Sequence, residues 1–183
     1  MHSTLRSLCL TLFCTTLAKD ALVQRAPVRT VSLSGPAPSA YSLRPVSSSG
    51  PTSVLGGPLA TCSKPGMALT GFTRDGHCQD PNDDEGRHHI CIEMKSDFCT
   101  VTGQPDWCSK PRGCMGQPGE CPIVNWCVCQ WAFARYIQQA GGCDSIVDLV
   151  CDATNMAALT AYQHSTDTSH KDALECIKKR CAA

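Results

Sequence analysis

The stretch Thr70–Cys91 reads T-G-F-T-R-D-G-H-C-Q-D-P-N-D-D-E-G-R-H-H-I-C, and the remainder of the chain is organised around it. It holds Cys78 and Cys91, the histidines His77, His88 and His89, the acids Asp75, Asp80, Asp83, Asp84 and Glu85, and the glycines Gly71, Gly76 and Gly86. Arg74-Asp75-Gly76 is a turn signal, because glycine tolerates a positive φ and aspartate bonds nearby backbone. A second stretch, Asn125-Trp126-Cys127-Val128-Cys129-Gln130-Trp131, is its expected partner in the fold.

Outward from these stretches, the strongest signal is 15 cysteines in 183 residues. Two of them, Cys9 and Cys14, fall in an N-terminal leader, which leaves thirteen: Cys62, Cys78, Cys91, Cys99, Cys108, Cys114, Cys121, Cys127, Cys129, Cys143, Cys151, Cys176 and Cys181. In an oxidising compartment this reads as a disulfide framework. Each bridge contributes about 2–4 kcal/mol by restricting the unfolded chain. With Phe, Tyr and Trp together only ten, such staples offset a modest core. Thirteen is odd, so at least one thiol stays outside intrachain bridges.

Spacing limits the pairings. Cys127 and Cys129 are two apart and point away from each other on a helix or a strand. Cys176 and Cys181 lie roughly 140° apart around a helix, which argues against a local bridge. Cys114 with Cys121, or Cys143 with Cys151, flank loops that could close. The chain has no C-x-x-C, so the thioredoxin-type pair is absent. Cys127 sits near an expected helix start, where a thiol becomes reactive, but a structural bridge is the preferred reading for it.

Residues 1–18 read as a signal peptide: Arg6 supplies the basic region, Leu8 to Leu17 the apolar run, and Thr16-Leu17-Ala18 the cleavage site. The run is shorter than the roughly 20 residues a membrane span needs, and no later segment qualifies. Residues 19–51 are rich in Ser, Pro, Ala and Gly, and after Asp20 no acid occurs until Asp75. They read as a disordered spacer, or as a transit-like segment that would send the protein to a plastid in a second step. The expected destination is secretion or a secretory lumen, with the plastid route as the alternative. The folded part spans 52–183. Net charge is zero over the chain and mildly negative after residue 50, with no basic patch for nucleic acid.

Within 52–183, His89 to Met94 reads as a short strand and Thr102 to Pro122 as a loop. The clearest helix starts at Asn125 as N-cap and ends at Gly141-Gly142, with Cys129, Phe133 and Ile137 facing inward. Val147 to Cys151 fits either strand or helix. Asn155 caps a helix through Tyr162 that buries Met156, Ala158 and Leu159. Ser169-His170-Lys171-Asp172 resembles a capping box, and Lys178, Lys179 and Arg180 end the last helix where its dipole favours cations.

Val54-Leu55-Gly56-Gly57-Pro58-Leu59, then Cys62-Ser63, then Thr70 to Cys78, then Asp84-Glu85-Gly86-Arg87-His88-His89-Ile90-Cys91, then Trp126-Cys127-Val128-Cys129 together resemble the domain of unknown function family 2237 over about Val54 to Tyr162. The resemblance implies a small α+β protein of a mostly bacterial family with no established activity or ligand. Together with the elements above, the expected fold is a small single α+β domain with a short sheet, two to three helices and long cysteine-rich loops stapled by disulfides. The resemblance also sorts the cysteines. Cys62, Cys78, Cys91, Cys127 and Cys129 match family positions, whereas Cys99, Cys108, Cys114, Cys121, Cys143, Cys151, Cys176 and Cys181 look like additions suited to an oxidising lumen. The chain departs from the family at Ala153-Thr154-Asn155, where Ala-Thr-His is usual, and in its cysteine-rich segment between Phe98 and Trp126.

Three functional readings follow. The first is a non-catalytic, disulfide-stabilised secreted or lumenal module of unknown partner, preferred because no G-x-S-x-G, Walker loop, H-E-x-x-H or G-x-G-x-x-G occurs. The second is a zinc site drawn from Cys62, Cys78, His88, Cys91, Cys127 and Cys129, since thiolates and imidazole are the preferred zinc ligands; the preferred reading has no cofactor. The third is an enzyme or small-molecule site on Arg74, Asp75, Asp84 and His88. There Arg clamps an anion and His with a carboxylate does acid–base work. Against it, Arg74 and Asp75 would pair around a turn, and Asp84-Glu85 would only solvate a loop. His164 and His170 are expected at the surface.

Overall fold

Two strands that pair across a long sequence gap set the frame: β1 (Ile90–Glu93) and β4 (Asn125–Val128) run antiparallel with Ile90 opposite Val128 and Cys91 opposite Cys127. The computed structural model describes residues 50–94, 96–104 and 106–182. The expected signal peptide, and the 19–51 segment up to residue 49, lie outside the described residues. Between β1 and β4 come α1 (Ser96–Thr102), a 3-10 turn at Asp106–Ser109, and the small antiparallel pair β2 (Arg112–Gly113) and β3 (Glu120–Cys121). After β4 come α2 (Gln130–Gln139), 3-10 turns at Cys143–Ser145 and Cys151–Ala153, α3 (Met156–Gln163) and α4 (Thr168–Cys181). The fold is α+β, with two small sheets and four α-helices among the described residues. None of these helices is long and apolar enough to cross a membrane.

All four β4 side chains are buried, so this strand is the centre of the domain. Here the sequence reading is corrected. Asn125 does not cap a helix; its Nδ2 donates to the Cys62 carbonyl at 2.9 Å inside the core. Trp126 and Val128, aromatic and β-branched, suit the pleated surface against β1. The helix begins four residues later than expected, at Gln130, with Cys129 as N-cap. Its end is as expected, because Gly141 and Gly142 take φ of 89° and 117°, which stops a helix of L-residues.

The main core gathers Ile90, Ile92, Phe98, Val128, Phe133, Tyr136, Ile137, Tyr162 and Ile177 between the β ribbon and the helices. Helix α1 falls where the sequence gives no helical period, and β-branched Thr100, Val101 and Thr102 disfavour it. Tertiary contacts hold it. Phe98 packs edge-on against Tyr136 with ring centroids 4.9 Å apart, and the Tyr136 hydroxyl donates to Asp97 Oδ2 at 3.1 Å. Helix α3 is capped as the sequence indicates, Asn155 Oδ1 accepting from the Ala157 N–H at 2.9 Å; Ala158 and Leu159 are buried, Met156 only half-buried. Helix α4 is not opened by a Ser169 capping box. Asp167 is its N-cap and accepts from the Ser169 N–H at 2.8 Å.

Six disulfides staple the described residues: Cys62–Cys91, Cys78–Cys127, Cys99–Cys108, Cys114–Cys121, Cys143–Cys176 and Cys151–Cys181. The pairing divides along the line the family resemblance draws. Four of the five family-position cysteines pair with one another, and the eight additions pair with one another. Cys114–Cys121 closes its loop as spacing suggests. Cys143 and Cys151 do not pair; both reach α4, whose cysteines point to different partners as their helical offset requires. Lys179 Nζ lies 2.7 Å from Asp144 Oδ1, and Arg180 Nη2 donates to the Ile146 carbonyl at 3.0 Å, so the cationic end of α4 grips the same segment.

Candidate functional site

The register of β1 and β4 brings the site together. Continued one step past the Ile90–Val128 pair, it sets residue 129 alongside residue 89, so two stretches 41 residues apart leave the ribbon side by side. Cys129 sits at the strand-to-helix junction as the N-cap of α2, and its Sγ lies 3.1 Å from His88 Nε2. Cys129 stands outside the six bridges. Of the thirteen disulfide candidates Cys129 is therefore the odd sulfur, a correction to its place in the expected framework.

The opposite side of the His88 ring is held by Asp84, with Nδ1 2.9 and 3.0 Å from its two carboxylate oxygens. Asp84 is itself fixed. Its Oδ2 accepts from the His88 N–H at 2.7 Å and its Oδ1 from the Gly86 N–H at 3.1 Å, closing a turn of five residues. Asp84 is buried, 4% exposed, and so does not merely solvate a loop. Burial alone would raise its carboxyl. The bonds to the His88 ring and His88 N–H, with the charges of His88 and His89, outweigh burial and hold it below the ordinary carboxylate range. The imidazole is thereby fixed with one nitrogen toward its carboxylate and the other toward the Cys129 thiol.

Gly86 is where this turn needs glycine. A Cβ there would stand 2.5 Å from His88 Cε1 and 3.1 Å from Cys129 Sγ, driving a wedge into the pair. Arg87, with φ of 48°, turns the chain back, and its carbonyl accepts from both the His89 N–H and the Gln130 N–H.

Gln130 locks Cys129 from the helix side. Its carbonyl accepts from the Tyr162 hydroxyl, and its fully buried side-chain Oε1 lies 3.2 Å from His89 Nδ1. His89 Nε2 in turn lies 2.8 Å from Asp80 Oδ1. Burial holds His89 below the usual imidazole range, against the pull of Asp80. Burial also holds the Tyr162 hydroxyl well above the usual tyrosine range, with the proximity of Cys129 adding to it.

The other predicted residues take different roles. Asp75 caps a turn, accepting from the His77 N–H at 2.9 Å and from the Gln79 amide. Arg74, with φ of 56°, donates to the Gly71 carbonyl at 3.0 Å and lies over the Trp126 ring, 5.1 Å from its centroid. Burial and the charge of nearby Arg112 hold its guanidinium below its ordinary range. Of the four residues Arg74, Asp75, Asp84 and His88, only Asp84 and His88 join directly.

The zinc candidates divide as well. The sulfurs of Cys62, Cys78 and Cys91 lie within 4.8 Å of one another and are buried, but these three and Cys127 are bridged, and a bridged sulfur is not the thiolate that zinc takes up. Cys127, considered as a reactive thiol, is a core disulfide; the thiol at the helix start is Cys129. Asn155, where the family has histidine, caps α3 and donates to the Cys78 carbonyl at 3.0 Å. His170 is half-buried, with Nδ1 2.6 Å from Ser165 Oγ and its ring between Trp131 and Tyr162.

Fold and site together define a disulfide-stapled α+β domain with a Cys–His–Asp relay at the mouth of a helix. The family model described as an uncharacterised protein conserved in bacteria, domain of unknown function family 2237, matches residues 52–171, and the chain belongs to that family. No curated protein matches the chain.

Proposed function

We propose that this domain is a thiol-dependent acyl-transfer enzyme in which Cys129 is the nucleophile, His88 carries the proton and Asp84 orients His88. The observation that carries this reading is the relay itself, Cys129 Sγ to His88 Nε2 and His88 Nδ1 to Asp84, seated at the N-terminus of α2. A neighbouring imidazole and the first-turn N–H groups of α2 beyond Gln130, whose own N–H donates to the Arg87 carbonyl, both favour thiolate over thiol. The chemistry follows from the donor set. The thiolate attacks a carbonyl carbon and forms a C–S bond. His88 gives its proton to the leaving group as the carbon–heteroatom bond breaks, with first-turn N–H groups of α2 as donors for the developing oxyanion. Water, deprotonated by His88, then attacks the thioester and Cys129 leaves as thiolate. The net reaction is hydrolysis of an ester, thioester or amide.

Incubation with p-nitrophenyl acetate tests this. The expected result is a burst of p-nitrophenol with an acetyl adduct on Cys129 by peptide mass spectrometry. It should be absent in Cys129→Ala and slowed about a hundredfold or more in His88→Ala. Wild-type turnover no faster than that of Cys129→Ala would leave a non-catalytic binding module.

We infer further that the chain is exported to an oxidising lumen. Six bridges among the described residues support this, as does the signal-like sequence of residues 1–18. A native N-terminus at residue 19 supports export with a retained spacer, one near residue 55 supports the transit-like route, and an intact Met1 in cytosolic protein rejects both.

A further inference from the structure

The turn before Cys78 and the strand laid against it bring two cations together without a counter-charge. Met115 N–H donates to the Met67 carbonyl at 3.0 Å, Ala68 bridges Cys114, and Leu69 N–H donates to the Gly113 carbonyl at 2.8 Å, so β2 runs antiparallel to residues 67–69. One step further, the same ladder sets Arg112 alongside Thr70. Thr70 is also the base of the turn that carries Arg74, its carbonyl accepting from the Gly76 N–H at 3.0 Å. Arg74 and Arg112 therefore share one corner of the domain, and the charge of Arg112 opposes that of Arg74.

Arg74 is pinned in that corner. Its Nη1 donates to the Gly71 carbonyl at 3.0 Å, and its guanidinium lies over the Trp126 ring. Its φ of 56° is a left-handed conformation that a residue other than glycine adopts at a cost. Among the described residues neither arginine makes an ion pair. Asp75, the acid next to Arg74, spends its oxygens on the His77 N–H and the Gln79 amide. Like charges held together on a strained turn destabilise the free protein, and such strain is concentrated at ligand clamps and active sites.

We propose that Arg74 and Arg112 form a binding site for a dianionic phosphate group, free or carried as a monoester, separate from the Cys129 relay. Each guanidinium presents a planar fork of N–H donors that matches phosphate oxygens. Two forks balance two negative charges, whereas a carboxylate would leave one arginine unmatched.

Equilibrium dialysis of the full chain against inorganic phosphate tests this, in chloride of fixed ionic strength at about pH 7.5, where phosphate is largely dianionic. The expected result is a single saturable site with Kd of about 1 mM or tighter. Arg74→Gln and Arg112→Gln should each weaken it about tenfold or more. Arg112 is exposed and, among the described residues, its side chain makes no hydrogen bond. Arg112→Gln should therefore fold, and in chloride alone it should melt at or above the wild-type temperature because the repulsion is gone. Methyl phosphate binding as well as inorganic phosphate assigns the site to phosphate monoesters; much weaker binding assigns it to free phosphate. Absence of saturable binding, unchanged binding in Arg112→Gln, a lowered melting temperature of that variant in chloride, or equal displacement by acetate overturns the proposal.

Discussion

Cys129 and His88 are 41 residues apart in the chain, yet Sγ and Nε2 approach to 3.1 Å because each leaves the same end of the β1–β4 ribbon. The approach rests on a few neighbours whose removal has calculable consequences.

Gly86→Ala is the most direct perturbation of the pair. The added methyl would stand 2.5 Å from His88 Cε1, closer than non-bonded carbons come, so the ring has to swing away. The expected outcome is a fall of about tenfold or more in iodoacetamide labelling of Cys129, with a loss of stability of about 1–3 kcal/mol from overpacking. Labelling kinetics and thermal melting read the two effects separately. Labelling at the wild-type rate would show that the pair is not needed for reactivity.

Asp84 confers an acid limit on stability. Its folded pKa is held below the ordinary value of 3.8, so its contribution is complete above that value and is lost as pH falls through the folded pKa. Wild-type melting temperature should therefore drop steeply below about pH 4. Asp84→Asn should be less stable at neutral pH and show a flatter acid limb. Equal acid limbs in the two proteins would refute the assignment.

The disulfides should be unequal. Cys78–Cys127 closes 49 residues and Cys114–Cys121 only 7. Chain entropy makes the longer loop worth about 1.7 kcal/mol more. Replacing Cys78 and Cys127 by alanine also empties a fully buried position, so that double variant should melt well below the one lacking Cys114 and Cys121. Denaturant titrations of the two variants decide it, and comparable losses would contradict the ordering.

Alkaline titration should single out Tyr136. Burial, with the bond to Asp97, pushes its hydroxyl up from 10.0 to about 12. The protonated form is the one the fold favours, so stability is complete below pH 10 and declines as pH rises through about 12. Phenolate absorbance should show one tyrosine titrating near that value, and Tyr136→Phe should remove it from the curve.

The candidate site was legible in its parts and illegible as a whole. Asp84, Gly86 and His88 are two to four residues apart in one turn, so local chemistry in the sequence points to them together. Cys129 is legible only as one of five family-position sulfurs, because nothing in its flanking residues says which cysteines bridge. Helix α1 escaped for the same kind of reason: its residues disfavour a helix, and burial of Phe98 against Tyr136 overrides them. The late start of α2 follows from β4, since Asn125 spends its side chain on the Cys62 carbonyl rather than on a helix N-terminus.

By itself the sequence determined what short-range chemistry determines: an α+β domain of this family, its turns and glycine stops, the Asn155 cap, and a reliance on disulfides in place of a large aromatic core. Only the tertiary structure decided which sulfurs meet and which one is left beside a histidine. That choice depends on strand register, which is a property of two segments at once: shifting β1 against β4 by one residue would move Cys91 off its place opposite Cys127 and carry Cys129 away from His88.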